Sequence, residues 1–160
     1  MIKGKNIVIL GMQSWDIAIG SNCKNIAKVL AKNNRVVYVN VPLDRKKFLK
    51  RSFTDSNDLR RLSVLKGRSS GLVELGNDFW SFYPKIIFES INWINNNALF
   101  DFFNKLNTRK LASEIQRVTQ QLSFDNYILF NDSSMFRGVY LKELLKPELN
   151  IYYIRDNLIT

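Results

Sequence analysis

The sequence contains no histidine. Without an imidazole, the Ser-His-Asp and Cys-His ways of activating a nucleophile are excluded, together with zinc-protease motifs and most transition-metal sites; no metal ligand set is expected. Cysteine is nearly as scarce. Cys23 stands alone, so no disulfide forms within the chain, and its place in an apolar stripe marks it as a core residue. No apolar run reaches the ~18 residues a membrane-spanning helix needs. The first run, Ile7 to Leu10, stops at Gly11, too soon for a secretory leader, and the expected compartment is the cytoplasm. Glycine is sparse and badly spaced for phosphate chemistry: after Gly11 the next is Gly20, so both the dinucleotide fingerprint G-x-G-x-x-G and the phosphate loop G-x-x-x-x-G-K-[ST] are missing. Met12 to Ser14 bring no paired acids behind the first strand, which speaks against a phospho-receiver site.

Basic charge is plentiful: 24 Lys and Arg against 14 Asp and Glu give +10 over 160 residues. Such a field favours nucleic acid, acidic membrane surfaces or nucleotide and pyrophosphate ligands. With 46% hydrophobic and 12% aromatic residues the chain has ample material for one packed core.

Lys5 to Pro42 organise the rest. Ile7 to Leu10 read as a buried strand, apolar on both faces as in a covered parallel sheet. Cys23, Ile26, Ala27 and Leu30 make a helical stripe, with Lys24, Asn25, Lys28 and Lys32 on the opposite face. Ser21 or Asn22 is the expected N-cap, Asn33 and Asn34 end the helix, and Val36 to Val39 form a second buried strand, parallel to the first.

Beyond this βαβ unit, Leu43 to Arg61 read as a basic surface loop with one helical turn. Leu62 to Leu65, Gly71 to Leu75 and Phe79 to Tyr83 read as short strands, a small β excursion from the parallel sheet. Ser90 to Leu122 read as helix in two parts, with stripes Leu99, Phe102, Phe103, Leu106 and Leu111, Ile115, Val118, Leu122 and a break near Asn107 and Thr108. Tyr127 to Phe130 form a third parallel strand, Phe136 to Leu145 a short helix, and Leu149 to Ile154 a fourth buried strand. A strand this apolar expects a covering helix, so the chain reads as the front half of a longer protein.

In open α/β sheets ligands bind beyond the carboxyl ends of the strands. Polar residues gather there: Gln13, Ser14, Trp15, Asp16, Gly20 and Ser21 after the first strand, Asn40 after the second, Asn131 to Ser134 and Arg155 to Asn157 after the later ones. Gly20 lets backbone approach a ligand and permits positive φ ahead of a helix N-terminus that favours anions.

The stretch IVILGMQSWDIAIGSNCKNIAKVLAKNNRVVYVNVP resembles the opening of bacterial glycosyltransferases of the GT-B type, in its strand, its loop ending in Gly-Ser, its helix and its second strand. LNIYYIRDN, Leu149 to Asn157, is similar to their apolar strand ending in Tyr-x-x-x-Asp, and VELGNDFWSFYP, Val73 to Pro84, to the aromatic segment between. The likeness is greatest to members that build capsule, teichuronic acid or other surface polysaccharides. It implies a Rossmann-like three-layer α/β/α domain with a mostly parallel sheet, spanning residues 1–160 as the acceptor-binding half of an enzyme whose donor-binding half lies outside this chain. The fragment would be inactive alone. The donor would be a nucleotide-sugar, used as substrate with no further cofactor, and the acceptor a polysaccharide or lipid-linked saccharide.

By the same resemblance, Gly20 and Ser21 approach the donor phosphates or sugar, Trp15 and Asp16 shape the acceptor side, and Asp132, Arg155 and Asp156 line the floor. Asp16 and Asp156 are the first candidate bases if configuration inverts; retention needs little help from a protein base. The histidine that some relatives carry in the acceptor domain is absent. The partners implied are the chain's own C-terminal domain and, peripherally, the anionic inner face of the plasma membrane. Two other readings stand beside this one: a different nucleotide-binding Rossmann-like protein, and a non-catalytic basic module binding anionic membrane or nucleic acid. The last lacks the Gly-aromatic signature of an RNA-recognition sheet, which makes nucleic acid a poor fit.

Overall fold

The computed structural model describes residues 2–53 and 55–154. The chain opens with β1 (Asn6–Leu10), α1 (Asn22–Ala31) and β2 (Arg35–Val39), and β1 and β2 pair in parallel with Ile7 opposite Val36 and Leu10 opposite Val39. Ser21 is the N-cap of α1, its Oγ accepting from Lys24 N at 3.2 Å. Then follow β3 (Leu43–Asp44), α2 (Arg45–Lys50), α3 (Ser56–Leu65), β4 (Leu72–Gly76), β5 (Phe79–Phe82) and β6 (Ile87–Phe88). The last third holds α4 (Asn97–Gln121), β7 (Tyr127–Asp132), α5 (Met135–Gly138), α6 (Leu141–Leu145) and β8 (Leu149–Tyr153).

Six strands form one sheet in the order β4-β5-β2-β1-β7-β8. Every pairing in it is parallel except that of β4 with β5. Counted in chain order, the parallel strands β5, β2, β1, β7 and β8 stand third, second, first, fourth and fifth, so the winding reverses between β1 and β7. Alternate side chains feed two cores. Val8, Leu10, Val37 and Leu129 meet Leu111, Ile115 and Val118 of α4 and Leu141 of α6, while Ile7, Ile9, Val36 and Tyr38 meet Cys23 and Ala27 of α1. Covering both sides of the central strands is what makes them continuously apolar. The result is an α/β fold with a mostly parallel sheet, consistent with a Rossmann-like fold. No helix among the described residues is long and apolar enough to cross a membrane.

Several expectations are corrected. Leu62 to Leu65 end the helix α3, which Asp55 caps by accepting from Asp58 N at 2.8 Å. No apolar stripe marks this helix, because its buried positions are Asn57, Asp58 and Val64, with Arg61 beside them, and its inward face is an ion pair. The basic stretch from Leu43 is correspondingly two helices and a short strand. The excursion is a hairpin whose second strand, β5, joins the parallel sheet beside β2.

Residues 97–121 form one unbroken helix. At about 100° per residue, Leu99, Phe102, Phe103 and Leu106 lie roughly a third of a turn from Leu111, Ile115 and Val118. The stripe changes side where the helix leaves the core, and the backbone does not break. Phe136 to Leu145 divide into α5 and α6 around Tyr140. Finally, β8 is an edge strand with Leu149 and Tyr152 exposed, as is Ile154 just beyond it, not a buried one. Lys24, expected in solvent, is buried, and its Nζ donates to Ile17 O at 2.5 Å and Ile19 O at 3.2 Å. Burial lowers its pKa, as does Lys28, with Asp16 opposing.

Candidate functional site

Where the winding of such a sheet reverses, the loops above it diverge and leave a crevice. Here that place lies beyond Leu10 of β1 and Asp132 of β7, and a cavity of about 410 Å³ opens beside it. Met12 enters from the first loop, Ser134 and Arg137 from the segment after β7, and Asn104 and Asn107 from α4. Phe88, Ile91 and Phe136 supply apolar wall, and Glu89 and Asn92 further polar groups.

Asn131 builds the turn after β7. Its Oδ1 accepts from Ser134 N at 3.0 Å and its Nδ2 donates to Ser134 O at 3.3 Å. Gly138 is needed because a Cβ there would lie 1.8 Å from Asn131 Nδ2. Ser133 adopts a left-handed φ of 51° and donates from N and Oγ to Tyr153 O, at 3.0 and 2.7 Å. The turn is thereby fixed to β8. Asp132, wholly buried, accepts from Met12 N at 3.4 Å and so braces the first loop from below.

The cavity carries both signs of charge. Among the described residues no carboxylate forms an ion pair with Arg137; burial lowers its pKa to about 10, with Asp132 opposing, and it stays a cation at neutral pH. Glu89 accepts from both Nε and one terminal nitrogen of Arg45, and from Lys110 Nζ at 3.0 Å. Asn107 fixes its backbone, accepting from Glu89 N at 2.7 Å and donating to Glu89 O at 2.9 Å. The Arg45 hydrogen bond, more than any other influence, lowers the Glu89 pKa to about 2. A carboxylate held this acidic accepts hydrogen bonds from hydroxyls and is a poor general base.

The shift also makes a stability prediction. Because the folded pKa lies below the ordinary 4.5, Glu89 contributes stability that is complete above that value and is lost as pH falls through about 2. Urea melts of the wild type and Glu89→Gln should therefore converge as pH falls through this window. A stability difference independent of pH would remove the assignment.

Asn104 is the clearest ligand-facing group. Only 4% exposed, it lines the cavity, and among the described residues its side-chain amide has no hydrogen-bond partner. Its amide is not among the side-chain atoms sealed from solvent without a partner, so it reaches solvent through the cavity, where a hydroxyl-bearing ligand can take the place of water.

Trp15 packs edge-on to Tyr38 and Phe79, at centroid distances of 5.1 and 4.9 Å, and its N donates to Asn40 Oδ1 at 2.7 Å. Asn40 is buried, donating also to Ser81 Oγ at 2.9 Å and Phe82 O at 3.0 Å. Both anchor the first loop to the sheet. Asp16 Oδ2 accepts from Tyr83 Oη at 2.8 Å and faces Arg60 Nε at 3.4 Å; burial first, then Asp16, raises the Tyr83 pKa.

Gly20 has no positive φ, and nothing stands within 4 Å of where a Cβ would be, so neither folded-state reason for a glycine applies there. Ser21 is the helix cap already described. None of these five lines the cavity, and Asp132 lies beneath it; Arg155 and Asp156 fall outside the described residues. Asn104, Glu89 and Arg137 went unread. The available signal was Asn104 itself, an amide on the same side of α4 as Leu111 and Ile115.

Comparison with family models, with curated proteins and with solved structures finds no match.

Proposed function

We propose that the chain is the acceptor-binding half of a glycosyltransferase, a three-layer Rossmann-like domain of the GT-B type, acting with a donor-binding half on a nucleotide-sugar. The observation that supports this most is the cavity at the winding reversal, where the unpartnered amide of Asn104, the acidic carboxylate of Glu89 and the Arg137 guanidinium meet the ring of Phe136. Amides and carboxylates bind sugar hydroxyls, an aromatic covers the apolar face of a sugar ring, and Arg137 suits a phosphate linked to it. The missing glycine fingerprint favours this over a dinucleotide.

In the reaction the acceptor hydroxyl oxygen bonds to the anomeric carbon and the bond from that carbon to the diphosphate breaks. The hydroxyl proton passes to the departing phosphate with retention, or with inversion to a carboxylate base, for which Asp156 is the candidate, since Asp16 stands outside the cavity against Tyr83 and Arg60. Nucleoside diphosphate leaves.

Titration calorimetry of the chain with a soluble saccharide carried on a short prenyl diphosphate should give binding that falls about tenfold in Asn104→Leu and in Arg137→Ala, the loss of roughly one good hydrogen bond. NAD and FAD should give no heat. Binding of either dinucleotide in place of the saccharide would sink the proposal.

A further inference from the structure

Next to this crevice lies a second cavity, of about 490 Å³, and Glu89 lines both. Leu49 of α2, Trp93, Ile94 and Phe103 of α4 form its walls, with Lys46 and Lys50 at its rim. Around it large apolar side chains stand in water: Leu49 is 69% exposed, Trp93 68% and Phe102 61%. Phe102 touches Phe103, their rings 5.4 Å apart. For Phe102 and Phe103 the cause is the helix that carries them. The N-terminal stripe of α4 points away from the core that covers Leu111 and Ile115, so its aromatics are left uncovered.

Clustered exposed leucine and aromatics mark a surface that meets something else. The charges say what. Arg45 is committed to Glu89, but Lys46 and Lys50, one turn apart on α2, form no ion pair among the described residues. Uncompensated cations around an aliphatic and aromatic centre, on a chain of net charge +10, complement an anionic surface with an apolar interior. Nucleic acid supplies the anions but no aliphatic environment for Leu49; an anionic bilayer supplies both.

We propose that this face docks on an anionic phospholipid bilayer, with Leu49, Trp93 and Phe102 entering the boundary between headgroups and acyl chains and Lys46 and Lys50 meeting lipid phosphates. The docking stands apart from the crevice reading, and either can fail without the other.

Vesicles of mixed phosphatidylglycerol and phosphatidylcholine test it with the whole chain. The protein should co-sediment with them and not with phosphatidylcholine alone, and added salt should release it. Of the three tryptophans, Trp15 and Trp80 are packed on core aromatics, so Trp93 is the reporter. Its emission should shift to the blue on binding, and Trp93→Phe should bind without the shift.

Lys46→Glu with Lys50→Glu should weaken partitioning about tenfold or more, and Leu49→Asp with Phe102→Asp similarly. All four positions are exposed, and unchanged circular dichroism and melting would show the variants folded. Absence of sedimentation, sedimentation with no emission shift, or full binding by the folded Leu49→Asp, Phe102→Asp variant would each overturn the proposal. Preference for duplex DNA with no vesicle binding would do so too.

Discussion

Asp58→Ala is expected to lower the unfolding free energy by about 3 kcal/mol, toward the lower end of what breaking a buried ion pair costs. Asp58 is 0% exposed, and its two oxygens accept from Lys47 Nζ and Arg61, each at 2.9 Å. The Arg61 side chain is nearly buried, it has no other carboxylate, and its Nε has no hydrogen-bond partner among the described residues. Removing Asp58 leaves that guanidinium, among the described residues, with the Ser14 hydroxyl alone. Lys47 is half exposed and rehydrates, which keeps the loss from being larger. Lys47→Met should therefore cost under about 1 kcal/mol. Asp58 also orients Arg61, whose terminal nitrogen donates to Ser14 Oγ of the first loop, so amide exchange from residues 12–16 should accelerate in Asp58→Ala. Equilibrium urea melts decide the matter: a loss below about 1 kcal/mol for Asp58→Ala would show that the pair is not the clamp described here.

This cluster also explains what could be read from the sequence and what could not. The parallel strands were legible because each is a short run apolar on both sides, and α1 because its stripe is regular and Ser21 stands at its start. Hydrophobic periodicity is blind to an element whose inner face is polar. Asp58 and Arg61 make α3 such an element, and Leu62 to Leu65 at its end read by themselves as a strand. Periodicity also reports a change of environment as a change of structure, which is why the turning of the stripe along α4 looked like a break.

The cavity beyond β1 and β7 is not legible in the sequence for a related reason. Of the polar residues after the strands, Asn40 and one oxygen of Asp16 are engaged in holding the first loop, and Trp15 is tied into it through its backbone N and its ring. The group left without a protein partner, Asn104, sits in a helix far along the chain. Strand order was the missing knowledge: only the reversal between β1 and β7 brings α4 and the turn after β7 to one opening.

Gly11→Val is expected to cost about 3 kcal/mol or more, at or beyond the upper part of the range for overpacking a filled core. A Cβ at Gly11 would lie 2.1 Å from Cζ and Oη of Tyr38, and Tyr38 has no exposed surface through which its ring could escape. The effect is steric, since Gly11 has no positive φ. Moving the ring also breaks the bond its hydroxyl donates to Gln13 O at 2.8 Å and disturbs its edge contact with Trp15. The loop bearing Met12 into the cavity is therefore displaced as the core is strained.

Two comparisons isolate the cause. Gly20→Ala, where nothing lies within 4 Å, should change stability by less than about 0.5 kcal/mol. Gly11→Ala should be costly in the wild type and much less so with Tyr38→Leu, giving a coupling energy of about 1 kcal/mol or more in the double-mutant cycle. Additive effects would mean that the tyrosine ring is not what forbids a side chain at Gly11.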